Sequence, residues 1–577
     1  MTNSIAITGS GIICAIGNNK QQVQEALQSG TTGIGKMRYL PSCHKELPVG
    51  EVKMSDAELR QTLGVSSTEV FSRTALLGAY ALSQTMDDAR LNPDSLRGKR
   101  VTLISGTTVG GTEASEQYSC GNNTKAIARL VGIDCQLSTI STACSSALNA
   151  IILGARMLLN DETDIVLAGG TEALSVFHLN GFNSLMILDH EVCRPFDATR
   201  QGLNLGEGSA YVVLERTNEA HLRKCNIEAY ITGWGNRCDA YHQTASSENG
   251  EGAFLAMTDA LQMANLSPKD IDYINAHGTG TPNNDKSEST ALKRVFGENM
   301  PPISSTKSFT GHTTSASGSI ETVICLIAMN KHFVPGNYGW ENITQDCIIP
   351  AKYTAGKELH HILCNSFGFG GNDSSLIITD TEFAQCSTPK GARAKCENEV
   401  TMVVSAESEL TQEDELKELR QYISPMESRR MCKLMKAAFL TSMRAMETAN
   451  ITKPDAIIIA TQYGMLENGK KILDDIDQQG EESVSPTLFM QTTHNTLAGS
   501  LAIHLGCHGY NITYSQGEDS LQWAMRDAQR LINEGKAKTV LVGLHDMLPP
   551  TFKDFLESQG DKVPFDLYSK SIIVKSL

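Results

Sequence analysis

Short apolar runs alternate with helical patterns along most of this chain, and that alternation constrains its fold more than any other feature. The predicted strands are Ile5–Thr8, Val101–Ser105, Ile165–Ala168, Ala210–Leu214 and Ile271–Asn275. The predicted helices are Phe71–Arg90, Ser145–Asn160, Glu251–Ala264 and Ala316–Lys331. Alternation of this kind is typical of α/β layers. At 577 residues the chain is long enough for several such units.

The pattern stops after Thr379, where a stretch with Pro389 and Gly391 predicts a linker at 383–400. We call residues 1–382 the N-terminal unit and residues 401–577 the C-terminal unit.

The C-terminal unit partly repeats the N-terminal one. Ile457–Gly464 (IIIATQYG) resembles Leu103–Gly110 (LISGTTVG), and a helix-to-strand pattern at Ala528–Leu541 resembles Ala155–Leu167. The similarity predicts a partial duplicate that corresponds to residues 70–175 and then stops.

Composition excludes several classes of function. The formal charge of −16 lacks the broad positive field of a nucleic-acid-binding protein. No run of about 20 apolar residues predicts a membrane span. The first residues lack the basic start of a signal peptide, so the 15 cysteines predict reduced thiols in a cytoplasmic protein. No metal-ligand spacing is present.

The strongest motif is Thr142–Ala147 (TACSSA), between a strand-like run and a helix that is apolar nearly all round. Such a helix is buried, and Cys144 would lie at its N-terminus. Unpaired amides and the helix dipole favour a thiolate there, as at a nucleophile elbow. An inert core cysteine is the alternative for this motif alone.

Three more motifs follow in the sequence. They are Asn275–Pro282 (NAHGTGTP) with His277, Ser305–His312 (STKSFTGH) with Lys307 and His312 ahead of a helix that carries Glu321, and Asn365–Asn372 (NSFGFGGN) with Phe369. The glycines permit positive φ and close approach of the backbone to a ligand. Taken singly, each motif also fits a structural loop, a solvated lysine or a hairpin turn.

In this order the four motifs resemble the β-ketoacyl-acyl-carrier-protein synthases of the condensing-enzyme, or thiolase-like, family. Further matching stretches are Gly169–Ala173, Arg194–Asp197 and Gly206–Gly208. The resemblance covers about residues 1–382. It implies a thiolase-like layered αβαβα fold, followed by a partial thiolase-like α/β unit.

The resemblance implies a role for each motif. Cys144 would accept an acyl group, and malonyl carrier protein would lose CO2 to give an enolate that attacks this thioester. N–H groups of His277 and His312 would stabilise the enolate, and the backbone amides of Cys144 and Phe369 would stabilise the oxyanion on the acyl-cysteine. Phe369 also matches a gatekeeping position beside the acyl pocket.

Lys307 would fix the two histidines electrostatically and pair with Glu321. The reaction requires no cofactor.

The implied partner is an acyl carrier protein, which is acidic in this family. Basic residues that cluster in the sequence are candidates for its docking, with an ordinary solvated face as the alternative: Arg60, Arg73, Arg97, Lys99 and Arg100. A homodimer is the habit of the family, but the C-terminal unit could take the place of the partner in a pseudo-dimer.

Two departures from the family pattern matter. Residues 112–141 are fewer than in typical synthases, which leaves acyl chain length and the usual dimer interface open. Tyr514–Ser520 (YSQGEDS) stands where a nucleophile is expected and has no cysteine. We therefore expect the C-terminal unit to be inactive and similar to chain-length-factor subunits, with a folding appendage as the alternative.

Rival interpretations remain for three features. Asp519-Ser520-Leu521 is similar to the phosphopantetheine site of a carrier protein, which predicts a synthase fused to its own carrier. Gly9-Ser10-Gly11 is too weak a signal for a Rossmann dehydrogenase. A non-catalytic scaffold would require Cys144, His277 and His312 all to lack a function.

Overall fold

A computed structural model of the chain describes residues 5–66, 68–110, 120–383, 400–410, 412–558 and 565–577. Nearly all of the predicted linker and residues 112–119 of the shortened segment lie outside the described residues.

The predicted strands and helices of the N-terminal unit are all present. Its strands are β1 (Ile5–Cys14), β2 (Val101–Gly106), β3 (Gln136–Ser141), β4 (Ile165–Glu172), β5 (Gly208–Arg216), β6 (Ala229–Cys238), β7 (Tyr273–Asn275), β8 (Ile303–Ser304), β9 (Phe333–Val334), β10 (Thr354–Ala355), β11 (His361–Gly368) and β12 (Asn372–Thr379). Its helices are α1 (Lys20–Ser29), α2 (Asp56–Leu63), α3 (Arg73–Asp88), α4 (Pro93–Leu96), α5 (Asn122–Val131), α6 (Ser146–Leu159), α7 (Val176–Ser184), α8 (Thr217–Arg223), α9 (Glu251–Ala264), α10 (Pro282–Phe296), α11 (Lys307–Thr310) and α12 (Ser317–Asn330).

These elements form the five layers of a thiolase-like fold. Two five-stranded halves, β3-β2-β4-β5-β1 and β6-β12-β11-β7-β8, are joined where β1 pairs with β6. Helix α6 packs on strands of both halves and on α12, while α3 and α9 cover the two outer faces. Because α6 and α12 lie between sheets, each is apolar nearly all round, as the sequence indicates.

The C-terminal unit has five strands and seven helices among its described residues. The strands are β13 (Met402–Glu409), β14 (Ala456–Ala460), β15 (Tyr510–Tyr514), β16 (Thr539–Met547) and β17 (Leu567–Ser576). The helices are α13 (Pro425–Ser428), α14 (Lys433–Thr448), α15 (Leu466–Gln479), α16 (Pro486–Phe489), α17 (Thr496–Leu505), α18 (Ser520–Asn533) and α19 (Pro550–Ser558).

The repeat is more extensive than the sequence predicts. The order β13-β17-β16-β14-β15 reproduces β1-β5-β4-β2-β3, with the same parallel and antiparallel pairs. The copy therefore includes counterparts of β1 and β5, which lie outside the predicted range of 70–175. Strand β13 lies at the sheet edge and is partly exposed, so it lacks the continuous apolar run of the buried β1.

One 15-stranded sheet passes through both units because β15 pairs antiparallel with β3. Tyr514 is opposite Ile140 and Thr513 is opposite Ser141. The register of β14 against β15 and of β2 against β3 makes Tyr514 the counterpart of Ile140. The two units are thus related by a pseudo-two-fold axis at this pair.

A buried ionic cluster also joins the units. Arg156 of α6 contacts Asp527 of α18 at 2.8 Å, and Arg530 contacts the same carboxylate at 2.9 Å. Arg530 also pairs with Glu162 of the N-terminal unit. All three members of the central trio are buried, so each charge depends on its partners. Among the described helices, none is long and apolar enough to cross a membrane.

Candidate active site

Cys144 lies in a sharp turn between β3 and α6, as predicted for a nucleophile elbow. Ala143 has a φ of 52°, a left-handed conformation that costs an alanine about 1 kcal/mol. The Ser146 hydroxyl holds the turn: it accepts the Thr142 amide at 2.9 Å and donates to the carbonyls of Ala143 and Thr107. These bonds maintain the strained backbone that places the Cys144 side chain in the site.

The protonation state of Cys144 differs from the sequence expectation. Burial raises the pKa of its thiol to about 11, although the Lys307 charge and the backbone amides of Phe369 and Cys144 act in the opposite direction. Residue 144 is 5% exposed, so loss of solvation outweighs the helix terminus. At neutral pH the resting group is a thiol.

His312 is the direct hydrogen-bond partner of Cys144. Its Nε2 lies 3.1 Å from the Cys144 sulfur, and its Nδ1 lies 3.0 Å from the Ser317 hydroxyl. The backbone of His312 is held by the Asn204 carbonyl and the Gly206 amide. Burial, with the nearby Lys307 charge, holds the pKa of His312 well below its ordinary value, so the ring is neutral.

His277 lies on the other side of the site, with its ring centroid 5.3 Å from that of His312. The Lys307 ammonium contacts His277 Nδ1 at 3.3 Å and donates to its carbonyl at 2.6 Å. Burial, followed by the Lys307 charge, keeps the pKa of His277 well below its ordinary value. Because an ammonium can only donate, Nδ1 accepts and the proton of the neutral ring is on Nε2.

The Lys307–Glu321 ion pair implied by the resemblance is present. Their charged atoms are 2.5 Å apart, and both side chains are buried. Burial raises the pKa of Glu321 to about 7, and Lys307 opposes that rise.

Glu288 is a buried residue of the site that the sequence interpretation missed. Its carboxylate accepts the amides of His277 at 2.9 Å and Gly278 at 2.7 Å. Burial raises the pKa of Glu288 to about 7, and the two amides act against the rise. The only signal was a glutamate two turns into the helix after the histidine motif, which is common in helices without a function.

Phe369 completes the site from the turn between β11 and β12. Its amide lies near the Cys144 thiol and acts to lower the pKa of that group. Gly368 permits this approach, since a Cβ there would lie 2.4 Å from the Thr142 carbonyl oxygen. The Phe369 ring stacks on Phe182 with centroids 5.7 Å apart. The structure thus brings all six predicted site residues to one place.

The corresponding turn of the C-terminal unit has no nucleophile. Ser520 repeats the contacts of Ser146: its hydroxyl accepts the Gln516 amide and donates to the carbonyls of Gly517 and Thr461. The residue at the position of Cys144 is therefore Glu518, which is exposed. Ser520 itself is 0% exposed, in a turn between β15 and α18. The phosphopantetheine interpretation is wrong, because this hydroxyl is inaccessible and the surrounding fold is a sheet rather than a small helical bundle.

The basic residues do not form a single free patch. The Arg73 side chain is 11% exposed and paired with Glu207 at 2.6 Å, which argues against a role in docking. Arg100 pairs with Asp164 at 2.6 Å. The side chains exposed to solvent are Arg97, Lys99 and Arg100.

One group of three possible metal ligands is found among the described residues: Cys43, His44 and Glu481, with ligand atoms within 4.8 Å of one another. The Glu481 carboxylate already accepts the Ser42 hydroxyl, the Cys43 amide and the Asn180 side chain. This contact connects the two units without an ion. The thirteen cysteines among the described residues are free thiols.

Models of known protein families match both the N-terminal and the C-terminal unit. Residues 2–220 match a model described as the beta-ketoacyl synthase N-terminal domain, and residues 228–341 match the C-terminal domain. Residues 404–569 match a second model of the N-terminal domain. The C-terminal unit is therefore similar to the half of the family fold that its strand order reproduces.

Individual relatives cover the N-terminal unit. The 3-oxoacyl-acyl-carrier-protein synthase 2 of Coxiella burnetii is 32% identical over 408 residues, which are 65% of this chain and 98% of the relative. Nodulation protein E of Rhizobium meliloti is 30% identical over 66% of this chain and 99% of its own length.

Of two similar solved structures, one covers two thirds of this chain and the other covers all of it. The ishigamide ketosynthase/chain length factor has a TM-score of 0.62 and 27% identity, covering 66% of this chain and all of that one. The PfaC keto synthase-chain length factor has a TM-score of 0.80 over 100% of this chain and 78% of that one. At 17% identity the second match concerns the fold alone.

Proposed function

The chain belongs to the β-ketoacyl synthase family, and from that membership we propose that it condenses an acyl-cysteine with malonyl-acyl carrier protein to give a 3-oxoacyl-acyl carrier protein. The observation that carries the proposal is Cys144 at 3.1 Å from His312, beside His277. Residues 1–382 form the catalytic synthase domain, and residues 401–577 form an inactive, chain-length-factor-like unit.

The first step transfers an acyl group from carrier protein to Cys144. The thiol proton passes to His312 Nε2 as the sulfur attacks the thioester, and it leaves on the thiol of the carrier. Amides of Cys144 and Phe369 stabilise the tetrahedral oxyanion, and the Cys144–acyl bond forms as the carrier thioester breaks. A pKa of about 11 makes this proton acceptor necessary, because little thiolate exists at neutral pH.

The second step is decarboxylation and condensation. Malonyl carrier protein loses CO2, and the electron pair of the broken bond forms an enolate whose oxygen accepts N–H bonds from His277 and His312. The enolate carbon attacks the acyl carbonyl, a carbon–carbon bond forms and Cys144 leaves as a thiolate. The product is longer by two carbons.

His312 requires two different tautomers in these steps, and Ser317 suits both. A hydroxyl at 3.0 Å from Nδ1 accepts when Nδ1 carries the proton and donates when Nε2 carries it. His277 needs only the Nε2–H form, which the Lys307 ammonium favours by occupying Nδ1. Ser317 therefore allows His312 both to accept and to donate a proton, whereas Lys307 keeps His277 a donor through Nε2.

The partner is an acyl carrier protein, and the second unit takes the place of a dimer partner. Support comes from the β3–β15 pairing and from the Arg156–Asp527 contact across the pseudo-two-fold axis. Free thiols throughout the described residues fit a cytoplasmic location.

Intact-protein mass spectrometry with a panel of acyl carrier proteins tests the proposal. The wild type should gain one acyl group, Cys144→Ala should gain none, and malonyl carrier protein should then release a chain two carbons longer. No adduct from any donor would overturn the synthase assignment.

A further inference from the structure

The inactive unit contacts the loop that carries Phe369. The Asn495 side-chain amide donates to the Phe369 carbonyl at 2.8 Å. Because a carbonyl can only accept, the amide nitrogen of Asn495 must face it. Asn495 is 0% exposed and lies at the N-cap position of α17, where its side chain makes no capping hydrogen bond. A residue of the C-terminal unit is thus buried against the turn that completes the active site.

The same peptide is held at its other end. The Gly370 amide donates to the Gln243 carbonyl at 2.7 Å, and the Gln243 side chain donates to the Ser500 hydroxyl of α17 at 3.3 Å. In the peptide group between residues 369 and 370, the oxygen therefore accepts a hydrogen bond from Asn495. The nitrogen donates to Gln243, whose side chain in turn contacts Ser500.

Two glycines let the loop rest on α17. A Cβ on Gly499 would lie 2.8 Å from the Gly370 Cα, and Gly370 has a φ of 84°. With glycines at 370 and 371 after Phe369, the backbone has little conformational preference of its own. External hydrogen bonds must therefore select the orientation of this segment.

We propose that Asn495 is a positioning residue for condensation: it fixes the Phe369 carbonyl so that the amide of the same residue stays directed at Cys144. This inference rests on the proposed function. Since the Phe369 amide would stabilise the oxyanion on the acyl-cysteine, its aim affects acyl transfer. Enolate formation at His277 and His312 uses other donors and does not depend on this loop.

The test compares Asn495→Ala with Asn468→Ala. Asn468 is a matched control because its buried amide also donates to a backbone carbonyl, that of Gln491 at 2.9 Å, within the C-terminal unit. We expect Asn495→Ala to slow single-turnover acyl transfer to Cys144 by about 10- to 100-fold, since a donor is displaced rather than removed. Malonyl decarboxylation should change by less than about threefold, and Asn468→Ala should leave both rates unchanged.

A second readout distinguishes positioning from general loosening. The rate of Cys144 alkylation by iodoacetamide, followed against pH, should shift to higher pH in Asn495→Ala because the thiolate loses an amide donor. Should Asn495→Ala fail to fold, Ser500→Ala should give the same pattern with a smaller loss.

Four outcomes are decisive. Wild-type acyl transfer in Asn495→Ala would overturn the inference while leaving the proposed function intact. Equal losses of acyl transfer and decarboxylation, or an unshifted alkylation profile, would also overturn it by indicating general destabilisation. A wild-type protein that accepts no acyl group would instead refute the proposed function.

Discussion

The turn at Cys144 and the turn at Ser520 have the same pattern of hydrogen bonds, but only the first contains a cysteine. In each, a serine hydroxyl accepts an amide four residues earlier and donates to two carbonyls. Each has a residue in the left-handed region, Ala143 with φ 52° and Gly517 with φ 62°. The active turn keeps an alanine in this strained conformation, while the inactive turn has a glycine, which adopts it without strain.

The serine therefore holds the backbone of each turn. We propose that the residue two positions before it, Cys144 or Glu518, determines whether the turn can accept an acyl group. Cys144 is buried against His312, whereas Glu518 is exposed. We propose that the second unit is inactive because its turn has no cysteine and because no counterpart of the β6-β12-β11-β7-β8 half occurs among the described residues after β12.

The largest effect should follow from removing the thiol at residue 144 and then introducing one at residue 518. Cys144→Ala should lower condensation by about 10⁴-fold or more. Adding Glu518→Cys to that variant should restore nothing, since residue 518 is exposed and, unlike Cys144, has no hydrogen bond to a histidine among the described residues. Condensation assays and mass spectrometry measure both. Acyl transfer to residue 518 would show that the turn alone suffices.

The next prediction concerns the contact between the two units. Asp527→Asn should lower the free energy of unfolding by about 3 kcal/mol, because Arg156 and Arg530 would lose their shared buried counter-charge and keep only the more exposed Glu534 and Glu162. Chemical denaturation measures it, with the exposed Asp94→Asn as the control. A loss below about 1 kcal/mol would mean that the cluster contributes little to the junction.

The same residue predicts a dependence on pH. Burial would raise the pKa of Asp527, but the charges of Arg156 and Arg530 outweigh it and hold the pKa below its ordinary value. A lowered folded pKa stabilises the protein above the unfolded value of about 3.9 and loses that contribution as pH falls through the folded pKa. Denaturation between about pH 3 and 6 should show this loss in the wild type and less of it in Asp527→Asn.

A fourth prediction compares buried histidines of the two units. His277→Ala should lower malonyl decarboxylation by about 10²- to 10³-fold, because an N–H donor to the enolate is removed. Acyl transfer to Cys144 should persist, so the acyl-enzyme should accumulate in mass spectra. His545→Ala in the C-terminal unit is the control: burial lowers the pKa of that histidine to about 3, and the one hydrogen bond of its ring among the described residues is with Ser569. Parallel loss of both steps in His277→Ala would contradict the division of tasks.

The smallest effects should come from exchanging the left-handed residues. Gly517→Ala should destabilise by about 1 kcal/mol, since alanine is strained at a φ of 62°. Ala143→Gly should relieve the strain in the active turn but gain less than about 1 kcal/mol, because glycine also has more freedom in the unfolded chain. Thermal denaturation of the two single variants measures the difference. A stabilising Gly517→Ala or a destabilising Ala143→Gly would indicate that the two turns are not equivalent.

The fold class and the six site residues were predicted through the family resemblance that four short motifs carry together. Taken singly, each motif left a structural alternative open. The apolar pattern of α6 predicted that this helix is buried, and the layered fold followed from the resemblance.

Features set by distant contacts were not predictable. Glu288 and Asn495 reach the site from a helix and from the other unit, and nothing in their own neighbourhoods indicates that contact. The pKa of Cys144 was misjudged because burial, a tertiary property, outweighs the local helix terminus. Strand β13 was missed because an edge position leaves its apolar pattern incomplete.

The pairing of β3 with β15 has a consequence for symmetry. In a homodimer every substitution at the interface occurs twice, so the residues that face each other across the axis change together. Here both sides belong to one chain, and each position is free to change alone. Cys120 and His494 illustrate this freedom: their amides donate to the carbonyls of Gln462 and Thr108 in equivalent places, and the Cys120 sulfur lies 3.6 Å from the His494 ring. A cysteine and a histidine therefore meet at equivalent positions of the two units, where two identical chains would have the same residue twice.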